Sequence, residues 1–165
     1  MAILLRGKTK CKICGNVIWD GDSVVLFPAF VLNEASPLYV LSDSSCHSVC
    51  ANESPLGQAA LTAADECLKS TGPGKRACAV CGNQITDPDD YLLIGNLSGP
   101  STGPLEKFNY THLHKSHIGA WKHAEEFLAL AREALDGGHW RGRALLDIVR
   151  TVEAGMLAGA EVQTK

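Results

Sequence analysis

Two kinds of apolar pattern run along the chain, and each occurs in both halves. Short apolar runs with β-branched residues follow acidic, turn-forming stretches in WDGDSVVLFPAFV (19–31) and TDPDDYLLIGNL (86–97). Such runs are typical of β-strands. A second strand is predicted in PLYVLS (37–42) and in PLEKFNY (104–110). Each half is therefore predicted to contain one β-hairpin.

Apolar residues at helical spacing form the second pattern. In the first half, Ser54 and Pro55 predict a helix start, because serine is a good N-cap and proline fits the first helical position. In the second half, Gly137 and Gly138 predict a helix end. The two apolar stripes comprise Leu56, Ala60, Ala63, Ala64, Cys67 and Leu68, and Trp121, Ala124, Leu128, Ala131 and Leu135. Both halves thus combine helix and strand, which predicts an α+β fold.

A last helix, predicted at 140–157, has no counterpart in the first half. Its apolar face comprises Leu145, Ile148, Val149, Val152 and Met156. We expect this helix to pack over both halves and to join them. The predicted organisation is a first module at 1–70, a second module at 71–138, and a C-terminal helix with its tail at 139–165.

The two halves are an internal repeat. An offset of 67 residues matches 13 of the 45 positions between 6 and 50 without any gap. Average composition gives about one chance match in twenty positions, so coincidence is a poor explanation. The matches include both CxxCGN stretches (11–16 and 78–83). Repeated cysteine pairs at this spacing are typical of metal sites.

The register of the repeat assigns the remaining metal ligands. SSCHSVC (44–50) lies opposite THLHKSH (111–117), which pairs Cys46 with Leu113 and His47 with His114. Leucine cannot bind a metal, so the histidine is the shared ligand. The shared pattern is C-x2-C, 32 intervening residues, then H-x2-[CH]. It predicts two sites, which comprise Cys11, Cys14, His47 and Cys50, and Cys78, Cys81, His114 and His117.

Ligand number and spacing suit tetrahedral zinc, so we expect two structural Zn²⁺ ions per chain. A single four-cysteine site built from both CxxC pairs is the alternative. It would leave the matched spacing of the other four ligands without a reason. The same register excludes three further residues as ligands. His112 matches Ser45, and Cys46 and Cys67 match Leu113 and Ala134, so both thiols are predicted to be small buried hydrophobes.

The order of knuckle, hairpin and ligand-bearing helix resembles the treble-clef class of zinc fingers. The resemblance covers about residues 8–53 and 75–120. It implies that both metals are structural and that a helix supplies the last two ligands. Ser44 and Thr111 are predicted to cap these helices, which would put the first histidine at the third helical position. The second site has two histidines, so it is predicted to be the weaker site at low pH.

Composition narrows the possible functions. Hydrophobic residues make up 45% of the chain and charged residues 20%, so a packed core is feasible. A net charge of −3 argues against a broad nucleic-acid surface. The first apolar run (2–5) is too short for a signal peptide, and no run approaches the ~20 residues of a membrane span. We therefore expect a soluble, cytoplasmic protein without a membrane partner.

The sequence thus predicts a zinc-stabilised, non-enzymatic binding protein whose partner is another protein. A bacterial immunity or antitoxin protein would be one example of this class. The candidate contact loops are 33–38 and 95–105, the second of which contains the glycine-rich stretch SGPSTGP that is expected to be mobile. Phe27, Phe30 and Tyr39 lie near the first loop, and at least two of them are expected in the core.

Two other functions remain as alternatives. Tandem zinc modules can bind nucleic acid, and HWRGR (139–143), with Arg141 and Arg143, is the densest basic and aromatic stretch. HNH-type nucleases share the treble-clef frame, and Asn109 with His112 could serve such an enzyme. The chain lacks the usual cluster of one acidic residue and two histidines, and no GxSxG, GxxxxGK or HExxH motif is present.

Overall fold

The computed structural model describes residues 2–99 and 103–162. The middle of the candidate loop at 95–105 and the last three residues of the predicted C-terminal tail, 163–165, lie outside the described residues. The predicted α+β fold is confirmed, because two small antiparallel hairpins alternate with helices along the chain. None of the described helices is long and apolar enough to cross a membrane.

The first half begins with a hairpin of β1 (Val24–Leu26) and β2 (Ser45–His47). A short 3-10 helix (Pro37–Leu41) lies between the strands. The chain then enters α1 (Ser48–Glu53) and α2 (Pro55–Thr71). As predicted, α2 begins after a serine cap, whose hydroxyl accepts a hydrogen bond from the third residue of the helix at 2.9 Å. Apolar residues of both helices face the hairpin and close a small core.

The second half repeats this order. Its hairpin pairs β3 (Tyr91–Ile94) with β4 (Thr111–His114), and a 3-10 helix (Gly103–Phe108) precedes β4. A second 3-10 helix (Lys115–Ala120) stands in the place of α1, and α3 (Ala124–Asp136) stands in the place of α2. The two halves therefore share their hairpins and differ in the helices that follow.

The prediction of a second strand at 37–42 and 104–110 is wrong. Both segments contain short 3-10 helices instead. Each segment starts with proline, which fixes φ and cannot donate to a strand ladder, so proline favours the first turn of a helix. The Ser36 hydroxyl also accepts a hydrogen bond from the Leu38 N–H and caps the turn. The partner strands are the segments that carry the first histidine of each site.

The prediction that Ser44 and Thr111 cap the ligand-bearing helices is also wrong. The chain stays extended beyond both residues because it pairs with β1 and β3. His47 and His114 are themselves the N-cap residues, with backbone φ near −60° and ψ above 130°. Each histidine therefore lies at the junction between a strand and a helix rather than inside the helix.

The repeat extends to individual backbone hydrogen bonds. Isolated bridges join Lys10 to Val17 and, 67 positions later, Ala77 to Gln84. The only non-glycine residues with positive φ among the described residues are Asp43 and Tyr110, which also occupy equivalent positions. The shared register of the sequence is thus a shared backbone path.

Each half has its own apolar core. The core of the first half comprises Cys11, Ile18, Phe27, Phe30, Val31, Leu41, Cys46, Ala51, Ala60, Ala64 and Cys67. Phe27 and Phe30 are buried as expected, and Tyr39 is 40% exposed. Leu68, which the predicted stripe placed in the core, is 58% exposed.

The last helix, α4 (Ala144–Val162), packs on the second half. Its buried residues, Leu145, Ile148, Val149 and Val152, belong to the core of that half. The link to the first half is made by the segment that precedes α4. There the Asn33 side chain donates to the His139 carbonyl at 3.1 Å and accepts from the Arg141 N–H at 3.1 Å. Asn33 is fully buried by this contact, so the candidate loop at 33–38 is not a free loop throughout.

Candidate metal centres

The knuckle in front of each hairpin presents the first two ligands. In the first half, the Cys11 N–H donates to the Asn16 carbonyl at 2.8 Å, and the Gly15 N–H donates to the Cys11 carbonyl at 2.9 Å. Gly15 has a φ of +76°, which a residue with a side chain rarely adopts. The turn brings Cys11 to the buried side and leaves Cys14 exposed.

The first group is completed where β2 meets α1. His47 ends the strand, and Cys50 lies in the first turn of the helix. The Nδ1 atom of His47 is 3.4 Å from the Cys14 Sγ atom and 3.9 Å from the Cys50 Sγ atom. The four ligand atoms of the group, including the Cys11 thiol, all lie within 4.8 Å of one another.

The second group has the same plan with an imidazole in place of one thiol. Nδ1 of His114 is 3.6 Å from Sγ of Cys81, and Nδ1 of His117 is 3.8 Å from Sγ of Cys78. The two imidazole rings stand at 67° with centroids 4.8 Å apart. Again all four ligand atoms lie within 4.8 Å of one another.

These distances fit a tetrahedral metal. With the Zn–S and Zn–N bond lengths usual in proteins, tetrahedral ligand atoms lie roughly 3.3–3.8 Å apart. The four sulfur–nitrogen distances between these ligand atoms fall between 3.4 and 3.9 Å. Cysteine and histidine are also the ligand types that zinc prefers. Both groups are therefore compatible with zinc binding.

The buried cysteine of each group is set up as a thiolate. Burial raises the pKa of Cys11. Hydrogen bonds from backbone N–H groups, led by that of Cys14, lower the pKa by a larger amount, so the resulting pKa is about 6. Cys78 has the same balance and also a pKa of about 6, with the His114 N–H at 3.4 Å and the Val80 N–H at 3.5 Å from its sulfur. A thiolate is the form that binds metal, so both residues are prepared for ligation.

Cys50 shows the opposite shift. Burial, followed by its contacts with the thiols of Cys14 and Cys11, raises the pKa of Cys50 to about 12. Several thiolates close together repel one another unless a cation lies between them. A metal ion between the thiols would favour the deprotonated form of Cys50, and its binding would release a proton.

One contact of the first group was not predicted from the sequence. The Nε2 atom of His47 lies 3.3 Å from the Oδ2 atom of Asp22. Asp22 is one of the positions that match in the repeat, opposite Asp89, but the match itself does not distinguish a ligand partner from a turn residue. The contact arises because the turn before β1 folds back towards the end of β2.

The structure gives structural roles to the residues that were excluded as ligands. Cys46 is fully buried, and burial raises its pKa to about 11. Cys67 is buried in the same core. His112 is buried too, with Nδ1 at 2.8 Å from the Tyr91 hydroxyl and Nε2 at 3.1 Å from the Ser70 carbonyl.

The eight predicted ligands fall into the same two groups that the register of the repeat predicts. The two CxxC pairs belong to different groups, so the structure does not bring them together into one four-cysteine site. Among the described residues, no further cluster of three or more metal-ligating side chains lies close enough to hold an ion.

Comparison with known protein families, with curated proteins and with solved structures found no significant match to this chain. Any statement about its function therefore rests on its own residues.

Proposed function

We propose that the protein is a non-enzymatic binding protein, each half of which is held together by one structural zinc ion. The observation that carries the proposal is that each group supplies four protein ligands. A tetrahedral zinc with four protein ligands has no open position for water or substrate, whereas catalytic zinc keeps one. Zinc binding to small modules contributes about 10–16 kcal/mol of folding free energy at neutral pH.

The alternative of an HNH-type nuclease finds little support in the side chains that it would use. The Asn109 side chain accepts from the Leu97 N–H at 2.7 Å and donates to the Ser98 hydroxyl at 2.9 Å. Both ring nitrogens of His112 have hydrogen-bond partners, and the side chain is only 6% exposed. These contacts are typical of residues that hold a loop and a hairpin in place.

Nucleic-acid binding is the second candidate, and the charges give it little support. Arg143 and Arg150 both lie within 4 Å of the Asp147 carboxylate, at 3.9 and 3.8 Å. Their positive charge is partly balanced, and the chain as a whole has a net charge of −3. Binding to phosphates needs several uncompensated cations on one face.

Another protein is the partner class that the surface supports best. Trp19, beside the first metal group, is 62% exposed. It borders a depression of roughly 460 Å³ that is also lined by Asn16, Val17, Asp22 and His47. Exposed tryptophan is enriched among the residues that dominate protein interfaces. We call Asn16, Val17, Trp19 and Asp22 together the Trp19 surface. At the position equivalent to Trp19, the second half has Thr86.

Affinity capture can test this proposal. The zinc-loaded chain is immobilised and incubated with nuclease-treated extract of the source cells, in parallel with Trp19→Ala and, as a matched control from the repeat, Thr86→Ala. We expect a partner protein that wild type and Thr86→Ala retain and that Trp19→Ala loses, while all three chains keep the same zinc content. Equal retention by Trp19→Ala would contradict the role of the Trp19 surface.

A gel-shift titration on DNA and RNA addresses the second candidate. We expect weak binding that Arg141→Ala and Arg143→Ala leave unchanged. Tight binding that falls steeply with salt and disappears in these variants would overturn the proposal in favour of a nucleic-acid-binding protein.

A further inference from the structure

His47 has a different partner on each of its ring nitrogens. Nδ1 faces the sulfur atoms of Cys14 and Cys50, at 3.4 and 3.9 Å. Nε2 faces away from the group and lies 3.3 Å from the Oδ2 atom of Asp22. The imidazole is 18% exposed and the carboxylate 35% exposed, so water has limited access to the contact. One ring therefore connects the candidate metal position to a carboxylate.

The Asp22 carboxylate is fixed by its own turn. Its Oδ2 atom accepts the backbone N–H of Trp19 at 2.6 Å, and the backbone N–H of Asp22 donates to the Trp19 carbonyl at 3.1 Å. The guanidinium of Arg6 then donates to the carbonyl oxygens of both residues, at 2.5 and 3.1 Å. A carboxylate held in this way points at the imidazole without a large entropic cost.

The second half uses its acidic residues differently. Asp89 is the counterpart of Asp22, but within residues 2–99 and 103–162 its carboxylate makes no contact with an imidazole of the second group. The neighbouring Asp90 accepts the Ser116 N–H at 2.8 Å and the Ser116 hydroxyl at 2.9 Å, so it holds the turn after β4. Among the described residues, a contact between a carboxylate and a ligand histidine thus occurs only in the first half.

We propose that Asp22 is a positioning residue for His47 as a zinc ligand. The Asp22 carboxylate lies 3.3 Å from Nε2 of His47, so a metal bound to Nδ1 would leave the ring proton on Nε2 facing an acceptor that orients the ring and makes it a stronger ligand. The consequence is that the two zinc sites are unequal, because only the first has this support. The inference rests on the proposed zinc binding and adds a residue to its first site.

The test compares Asp22→Ala and Asp22→Asn with the repeat-matched control Asp89→Ala. Zinc affinity of each site is measured on the full chain by competition with a chromogenic zinc chelator. Cadmium-113 NMR of the cadmium-loaded chain assigns each step, because a three-thiolate site and a two-thiolate site resonate at different shifts. We expect Asp22→Ala to weaken the first site by about 10–100-fold, the usual cost of losing such an outer partner, and to spare the second. Asp89→Ala should leave both sites unchanged.

Nitrogen-15 NMR of the histidines separates positioning from a purely structural role. In the zinc-loaded wild type we expect His47 to bind metal through Nδ1 and to carry a slowly exchanging Nε2–H. Asp22→Ala should speed this exchange even when excess zinc restores full occupancy and the backbone spectrum is otherwise retained. Asp22→Asn keeps an oxygen that can accept from the Trp19 N–H, so its fold should be retained while the His47 support weakens.

Three results would overturn the inference. They are an unchanged first-site affinity in Asp22→Ala, an equal loss at both sites, and metal binding by His47 through Nε2. In each case a wild-type chain that still binds two zinc ions leaves the proposed function intact. A wild-type chain that binds no zinc would instead overturn the proposed function itself.

Discussion

The two halves share one ligand plan but not one kind of core. In the first half the core residues on α1 and α2 are small, namely Ala51, Ala60, Ala64 and Cys67, and the aromatic part of the core is the pair of Phe27 and Phe30. The second half buries Phe108, Trp121 and Phe127 against one another, with ring centroids 5.3–5.8 Å apart, and adds the apolar face of α4. Aromatic side chains dominate the stabilisation of a core because each buries a large apolar area.

This difference indicates how far each half depends on its metal. Below about 40 residues a domain usually needs a metal, disulfides or a partner, because too little apolar area is buried. The core of the first half has 11 buried residues, whereas that of the second half has 20, and there α3 packs on α4 and both helices pack on 3-10 helices. We therefore infer that zinc is essential to the fold of the first half and supplementary in the second.

Removal of both metals should produce the largest difference in folding between the two halves. A strong chelator at neutral pH removes up to about 10–16 kcal/mol of stabilisation per site. We expect residues 8–53 to exchange their amide hydrogens freely, while α3 and α4 keep measurable protection in hydrogen-exchange mass spectrometry. Added zinc should restore both halves. Equal loss of protection in both halves would contradict the difference in metal dependence.

Replacement of one histidine in each site tests separately how far each half depends on its metal. His47→Ala and His114→Ala should each lower the zinc content by one ion, because three ligands hold zinc less tightly than four. His47→Ala should also unfold its half, whereas His114→Ala should keep the packed helices of the second half. Zinc content is measured by elemental analysis. Hydrogen-exchange mass spectrometry follows the folding of the first half, and near-ultraviolet circular dichroism reports the buried Trp121 and Trp140 of the second half.

Close backbone approaches in the two halves offer a matched pair of smaller perturbations. A Cβ atom on Gly57 would lie 2.3 Å from the Ala51 carbonyl oxygen, and one on Gly155 would lie 2.6 Å from the Ile118 Cβ atom. We expect Gly57→Ala and Gly155→Ala to lower the free energy of unfolding by about 1–3 kcal/mol, with the larger loss at Gly57, where backbone must move. The control is Gly21→Ala, since a Cβ atom there meets nothing within 4 Å.

Cys46 and Leu113 occupy the same position in the two halves, and both are fully buried. Cys46→Ser should leave the zinc content at two ions, because the thiol is a core residue and not a ligand. Burial of an unpaired hydroxyl should still cost about 1–3 kcal/mol of stability. Denaturant unfolding of the zinc-loaded chain measures the cost. A loss of one zinc ion in Cys46→Ser, with Cys50 still present, would return Cys46 to the list of ligands.

The sequence predicted the mixed fold, the presence and the first strand of one hairpin in each half, and the grouping of the eight ligands, because the repeat constrains all three. It did not predict that the second strand of each hairpin carries the histidine. Local propensity favoured strands at 37–42 and 104–110, and only the proline at the start of each segment argued against them. Ser44 and Thr111 resembled helix caps because cap preference depends only on local sequence. The strand pairing that keeps both segments extended involves distant residues and leaves no such local signal.

Two features depend on contacts between distant segments and so have no local signal. The apolar face of α4 shows that the helix packs against other residues, but not that its buried residues join the core of the second half. The contact between Asp22 and His47 joins a turn to a strand end, and Asp89 has the same place in the sequence without the same contact. Repeated residues can therefore have different neighbours, which only the packed structure reveals.

Native mass spectrometry of the purified chain tests the central claim most directly. The claim is that each half closes its own four-ligand zinc site. We predict a dominant species with two zinc ions per chain, which falls to one ion in Cys11→Ser and, separately, in Cys78→Ser. A wild-type chain with a single zinc ion that either variant abolishes would contradict the claim, since it would mean that both CxxC pairs serve one site.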